Sequence, residues 1–99
     1  MIELRGKHFD WDRDKSLRNI EKHGVSFKVA ATAFFDPNAI IFTDEDHSQY
    51  EDRFIIIGFS KSHSLLTVCH CYRDGNNTIR IISARKATNF EQEIYGGEV

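Results

Sequence analysis

The chain has 99 residues, 40% hydrophobic and 28% charged, with a formal net charge of −2. That make-up fits a single globular domain over residues 1–99 with one core, and no apolar run approaches the roughly 18 residues of a membrane span. The near-neutral balance excludes a protein that holds nucleic acid by a bulk basic field, so any polyanion site has to be local.

The first eight residues lack the apolar stretch of a secretory signal, which points to the cytoplasm. Cys69 and Cys71 sit two apart on a β-prone segment. They share a face there and are poorly placed to bridge each other, in keeping with a reducing compartment.

In chain order, Phe9-Asp10-Trp11-Asp12 reads as a short extended entry. A helix follows over about 12–23, with Leu17 and Ile20 as its apolar stripe, Asp12 and Asp14 at its positive end, and Lys22 and His23 before the terminating Gly24. Ser26 caps a second helix in which Phe27, Ala30, Ala31 and Phe34 recur at helical spacing, and Asp36-Pro37-Asn38 closes it. The texture then changes to strands: 39–43, Phe54–Phe59, 65–72 and 79–84, with short connections that favour antiparallel neighbours. Thr88 with Glu91 three residues on has the spacing of a capping box, and Gly96-Gly97 ends that last helix. The expected fold is α+β: two N-terminal helices, a four-stranded antiparallel sheet and a C-terminal helix.

Chemistry concentrates late in the chain. Arg80, flanked by Ile79, Ile81 and Ile82, is a charge on a strand with apolar residues on both faces, and such a charge has a partner in protein or ligand. Alternation places Arg80 and Lys86 on one face and Arg85 on the other, unless the strand ends or bulges between them. Cys69-His70-Cys71 is not a metal site, because a strand turns the cysteines one way and His70 the other. The remaining set is His47, Glu51, Arg53, His70, Arg73, Arg80, Arg85, Lys86 and Tyr95. It suits metal-free RNA cleavage, in which a base takes the 2′-hydroxyl proton, cations hold the phosphate and an acid protonates the leaving oxygen. Plainer readings stand beside it: Glu51 and Arg53 as a same-face ion pair, His47 as a staple of its acidic loop, Lys22 and His23 as helix-end cations.

Three separated stretches carry a family resemblance: Lys22-His23-Gly24-Val25-Ser26-Phe27, then Asp46-His47-Ser48 with Glu51, Arg53 and Ile57-Gly58, then Arg80 through Thr88 with Glu91 and Tyr95. In this order they resemble the BrnT toxins of type II toxin–antitoxin systems, from about Phe9 to Tyr95. The resemblance implies a RelE-like fold, a growth-arresting endoribonuclease that needs no metal or cofactor, and a hetero-oligomer with a BrnA-type antitoxin through which alone DNA is bound. On that reading Arg80 and Arg85 hold the scissile phosphate, His47 or Glu51 is the base and His70 or Tyr95 the acid. Arg53, Arg73, Lys86 and Lys22 contact substrate. The alternative is a non-catalytic module that binds a DNA-binding partner and serves transcriptional autoregulation.

Overall fold

The computed structural model describes residues 2–97. Strands β1 (Ile2–Leu4) and β2 (Lys7–Asp10) open the chain, followed by helices α1 (Arg13–His23) and α2 (Phe27–Thr32) and a 3-10 turn over Ala33–Phe35. Then come β3 (Ile40–Thr43), a second 3-10 turn (Glu45–His47), β4 (Phe54–Phe59), β5 (Leu65–Arg73), β6 (Thr78–Lys86) and α3 (Asn89–Gly96).

The sheet has six strands in the order β1-β2-β6-β5-β4-β3. This corrects the expected four-stranded antiparallel sheet and the two helices at the N-terminus. A hairpin precedes the helices, and its second strand runs parallel to β6, with Phe9 opposite Ile79 and Asp10 opposite Arg80. The hairpin closes through a two-residue turn in which Arg5 and Gly6 both have positive φ, 50° and 82°. That backbone matches the twist of the strands it joins. Strands of three and four residues are too short to show an alternation, and a parallel partner some 70 positions away leaves no local signal.

The helices form for the reasons their ends advertise. Asp12 caps α1 by accepting from the Lys15 amide, and Gly24 closes it in the left-handed conformation. Ser26 caps α2, which stops at Thr32, so that Phe34 lies in the 3-10 turn beyond it. Both helices cover one face of the sheet. Phe9, Phe27, Ala30, Ala31, Ile56, Leu66, Val68, Ile81 and Ala84 make the core there, each at most 1% exposed. Gly58 allows this layer to close. A Cβ on it would stand 2.7 Å from the Ala33 carbonyl oxygen, so only glycine lets the 3-10 turn rest on β4.

The register of β5 against β6 slips once. Cys69 faces Ser83 and His70 faces Ile81, leaving Ile82 without a partner, a β-bulge. Cys71 pairs with Arg80 and Thr67 with Arg85. Cys71 and Thr67 are four apart on one strand, so Arg80 and Arg85 share the face away from α1 and α2. Lys86, opposite Leu66, goes to the helix side, beside Ile20 and Val25. The alternation expected from sequence is inverted for these three cations because the bulge adds one residue between them.

Beyond Arg80, β6 has no β2 partner, and a side chain takes that role. Asn19 on α1, 7% exposed, accepts from the Ala84 amide at 3.2 Å and donates to the Ala84 and Val25 carbonyls at 2.8 Å each. Asn19→Ala leaves three buried polar groups unpaired, and we expect it to cost about 3 kcal/mol in urea unfolding, since each such group costs ~1–3 kcal/mol before relaxation.

Candidate active site

On the open face, β4, β5 and β6 and the loop after β3 enclose a cleft of about 240 Å³. It is lined by Asp44, His47, Arg53, Ile55, Thr67, Cys69, Ile82, Ser83 and Arg85. Backbone pairing alone brings five of these together: Ile55 faces Cys69, Cys69 faces Ser83 and Thr67 faces Arg85 on adjacent strands.

The loop contributing His47 is closed on itself. The Asp44 amide donates to the Arg53 carbonyl at 2.8 Å, the Ser48 hydroxyl donates to the Asp44 carbonyl at 2.6 Å, and the Arg53 amide donates to Ser48 Oγ at 3.0 Å. Within this clasp the His47 Nδ1 lies 3.0 and 3.1 Å from the two Asp44 oxygens. The imidazole itself is 67% exposed at the cleft mouth, whereas the Asp44 side chain is 15% exposed.

Arg85 is held from the other side. Its Nη1 and Nη2 donate to Glu91 at 2.7 and 2.9 Å, a bidentate pair across to α3. Burial pushes the Glu91 carboxyl up, but the Arg85 guanidinium, the Thr88 amide and the Thr67 hydroxyl outweigh it and hold the group down at about 2. Glu91 also completes the capping box with Thr88, so the signal that starts α3 fixes the arginine too. Arg53 keeps a buried Nε without a hydrogen-bond partner among the described residues, 3.6 Å from Glu51.

Of the residues singled out from sequence, His47, Arg53 and Arg85 meet in this cleft. Glu51 and Arg73 stand beside Arg53 and pair with each other at 2.7 Å, and the Arg73 guanidinium is the main reason the Glu51 carboxyl is held below its usual range. Arg80 shares the face but lies outside the lining, paired with Asp10 at 2.5 Å. Lys22 on exposed α1 and Lys86 are on the far side of the sheet.

The two acid candidates are placed elsewhere. His70 is fully buried on the core face among Phe34, Phe54 and Tyr72, at ring distances of 4.8, 6.0 and 5.5 Å. Burial drives its imidazole down to about 4. Tyr95 donates to Asp36 at 2.6 Å, and this bond first, burial second, pushes its phenol up to about 12. Neither lines the cleft.

Asp44, Thr67 and Ser83 were not among the sequence candidates. The i, i+3 spacing of Asp44 and His47 was the available signal. Thr67 and Ser83 become visible only with the register of the sheet. Cys69, also in the lining, is pushed up to about 11 by burial and the nearby Asp44, so it stays a thiol at neutral pH. Among the described residues, no three His, Cys, Asp or Glu side chains are grouped to hold a metal ion.

A family model described as the ribonuclease toxin BrnT of type II toxin–antitoxin systems matches residues 11–91, most of the chain. The chain belongs to this family. A crystal structure of the Brucella abortus ribonuclease toxin BrnT is similar over 84% of this chain and 99% of that one, with a TM-score of 0.62 and 25% identity. A search of curated proteins returned no match. The BrnT match contains every residue of the cleft and begins after the hairpin, so Asp10, the partner of Arg80, lies just outside it. Membership of a type II BrnT family implies an antitoxin partner.

His70 gives a pH dependence that can be checked. A histidine held near 4 when folded, against its usual 6.5, binds fewer protons in the folded than in the unfolded chain. Above pH 6.5 its titration contributes nothing, and stability falls as pH drops from 6.5 toward 4. The shift corresponds to about 3 kcal/mol at most. Urea unfolding between pH 7 and about 4.5 should therefore show a declining free energy in the parent chain and a much flatter one in His70→Phe.

Proposed function

We propose that this chain is an endoribonuclease that cuts RNA without a metal ion, by attack of a ribose 2′-hydroxyl on the adjacent phosphate, at the open-face cleft. The observation that supports this most is the meeting of His47, Arg53 and Arg85 in one small pocket of a chain that carries no general basic field. Arginine suits the task, because a guanidinium offers five donors in a planar fork and stays charged throughout. Two of the Arg85 nitrogens face Glu91, which orients the plane and leaves Nε for a ligand. The Arg53 guanidinium, in the same lining, adds a second cation. Arg80 and Arg73 extend the path for the RNA backbone along the same face.

His47 takes the 2′-hydroxyl proton. The O2′–P bond forms as the P–O5′ bond breaks, and the 5′-oxygen leaves with the electron pair and takes a proton from water at the open cleft. The products are a 2′,3′-cyclic phosphate and a 5′-hydroxyl. In the cell the toxin acts in the cytoplasm and is neutralised by a BrnA-type antitoxin in a hetero-oligomer, which supplies any contact with DNA.

RNA incubated with the antitoxin-free protein should gain 2′,3′-cyclic phosphate ends at a rate that EDTA does not change. Arg85→Gln should slow this by roughly 10²-fold, the scale of losing one preorganised charge donor, with folding checked by thermal melting. Products with 3′-hydroxyl ends, or an unchanged rate in Arg85→Gln and His47→Ala alike, would overturn the reading.

A further inference from the structure

The loop that carries His47 holds a second residue with a defined chemical task. We propose that Asp44 is a positioning residue that fixes the tautomer and direction of the His47 imidazole, so that Nε2 is the atom that accepts the 2′-hydroxyl proton. This rests on the cleft being the site of RNA cleavage.

A carboxylate only accepts hydrogen bonds, so the contacts of 3.0 and 3.1 Å from both Asp44 oxygens to Nδ1 require the proton to be on Nδ1. A neutral imidazole with its proton on Nδ1 has its lone pair on Nε2, and Nε2 has no partner among the described residues. When Nε2 takes the substrate proton, the imidazolium formed lies against a carboxylate that is already in place. The hydroxyl oxygen keeps its electron pair for the bond to phosphorus.

Asp44 can serve as this anchor because it is itself fixed. Its backbone is bonded to Arg53 and Ser48, its side chain is largely covered, and the Cys69 thiol approaches the same carboxylate at 3.8 Å. The ordinary alternative is that the pair merely staples an acidic turn. That role would not require the histidine to line a pocket with two arginines.

The charged and titratable groups around His47 are Asp44, Glu45 and Asp46 on its own loop, Arg53 before β4, Cys69 on β5, Arg85 on β6 and Glu91 on α3. Removing Asp44 takes away the carboxylate that touches the imidazole among the described residues, and with it the acceptor that fixes Nδ1–H.

The test is kcat and KM of RNA cleavage for the parent, Asp44→Ala, Asp46→Ala and His47→Ala. Asp44→Ala should lower kcat ~10- to 10²-fold, below the ~10²–10⁴-fold of losing a general base outright, and leave KM within about twofold. Asp46→Ala, which neutralises an exposed neighbour on the same loop, should follow the parent. A parent-like kcat in Asp44→Ala, with His47→Ala inactive, overturns the positioning role and leaves the cleft assignment standing. Full activity in His47→Ala overturns the positioning role, and with Arg85→Gln equally active it overturns the cleft assignment too.

Discussion

The bulge at Ile82 is the constraint on which the open face depends. A regular β6 would send Arg80 and Arg85 to opposite faces, because five positions separate them and a strand has a period of two. One residue inserted between Ile81 and Ser83 restores the match, and it does so within the ladder, where β5 supplies fixed partners on both sides of the slip. The core face shows the same insertion from behind. Ile81 and Ala84, three apart, are both buried against the helices, which an unbulged strand cannot arrange.

The bulged half of β6 lacks the support that its first half receives from β2. Asn19 replaces the missing strand by pairing both polar groups of Ala84, so α1 holds the stretch that presents Arg85. On the opposite side, Glu91 holds the arginine itself while also starting α3. The residue is thus fixed from a helix beneath the sheet and a helix above it. This division explains why α3 has no fully buried residue and yet has a settled place: Phe59 and Tyr95 meet edge-on, Asp36 accepts from Tyr95, and the capping box sets its first turn.

Elements announced by local chemistry were legible in the sequence. Asp12, Ser26 and Thr88 mark helix starts through bonds made within three residues, and the Thr88–Glu91 box forms as its spacing predicts. The strands from Phe54 onward were legible because they are long and joined by short turns. The N-terminal hairpin was not, since its strands are brief and its stability comes from β6, far along the chain. For the site, the residue types His47, Arg53 and Arg85 could be read, but their meeting could not. It depends on a register slip that no local pattern encodes. His70 was misleading for the converse reason: a histidine on a strand looks the same whether its face is open or sealed, and here Phe34, Phe54 and Tyr72 seal it.

The electrostatics of the open face follow from pairing more than from excess charge. Arg80 faces Asp10, Arg85 faces Glu91 and Arg73 faces Glu51, so most guanidinium groups there already have a carboxylate. The Arg80–Asp10 and Arg73–Glu51 pairs are exposed enough to contribute only ~0–1 kcal/mol each to stability, whereas the Glu91 side chain is 14% exposed and also starts α3. All three hold planar cations in set orientations. Such a face has little long-range pull on a polyanion, which matches a chain whose net charge is slightly negative. Arg53 stands in the cleft itself beside His47, its Nε 3.6 Å from Glu51 and without a hydrogen-bond partner among the described residues.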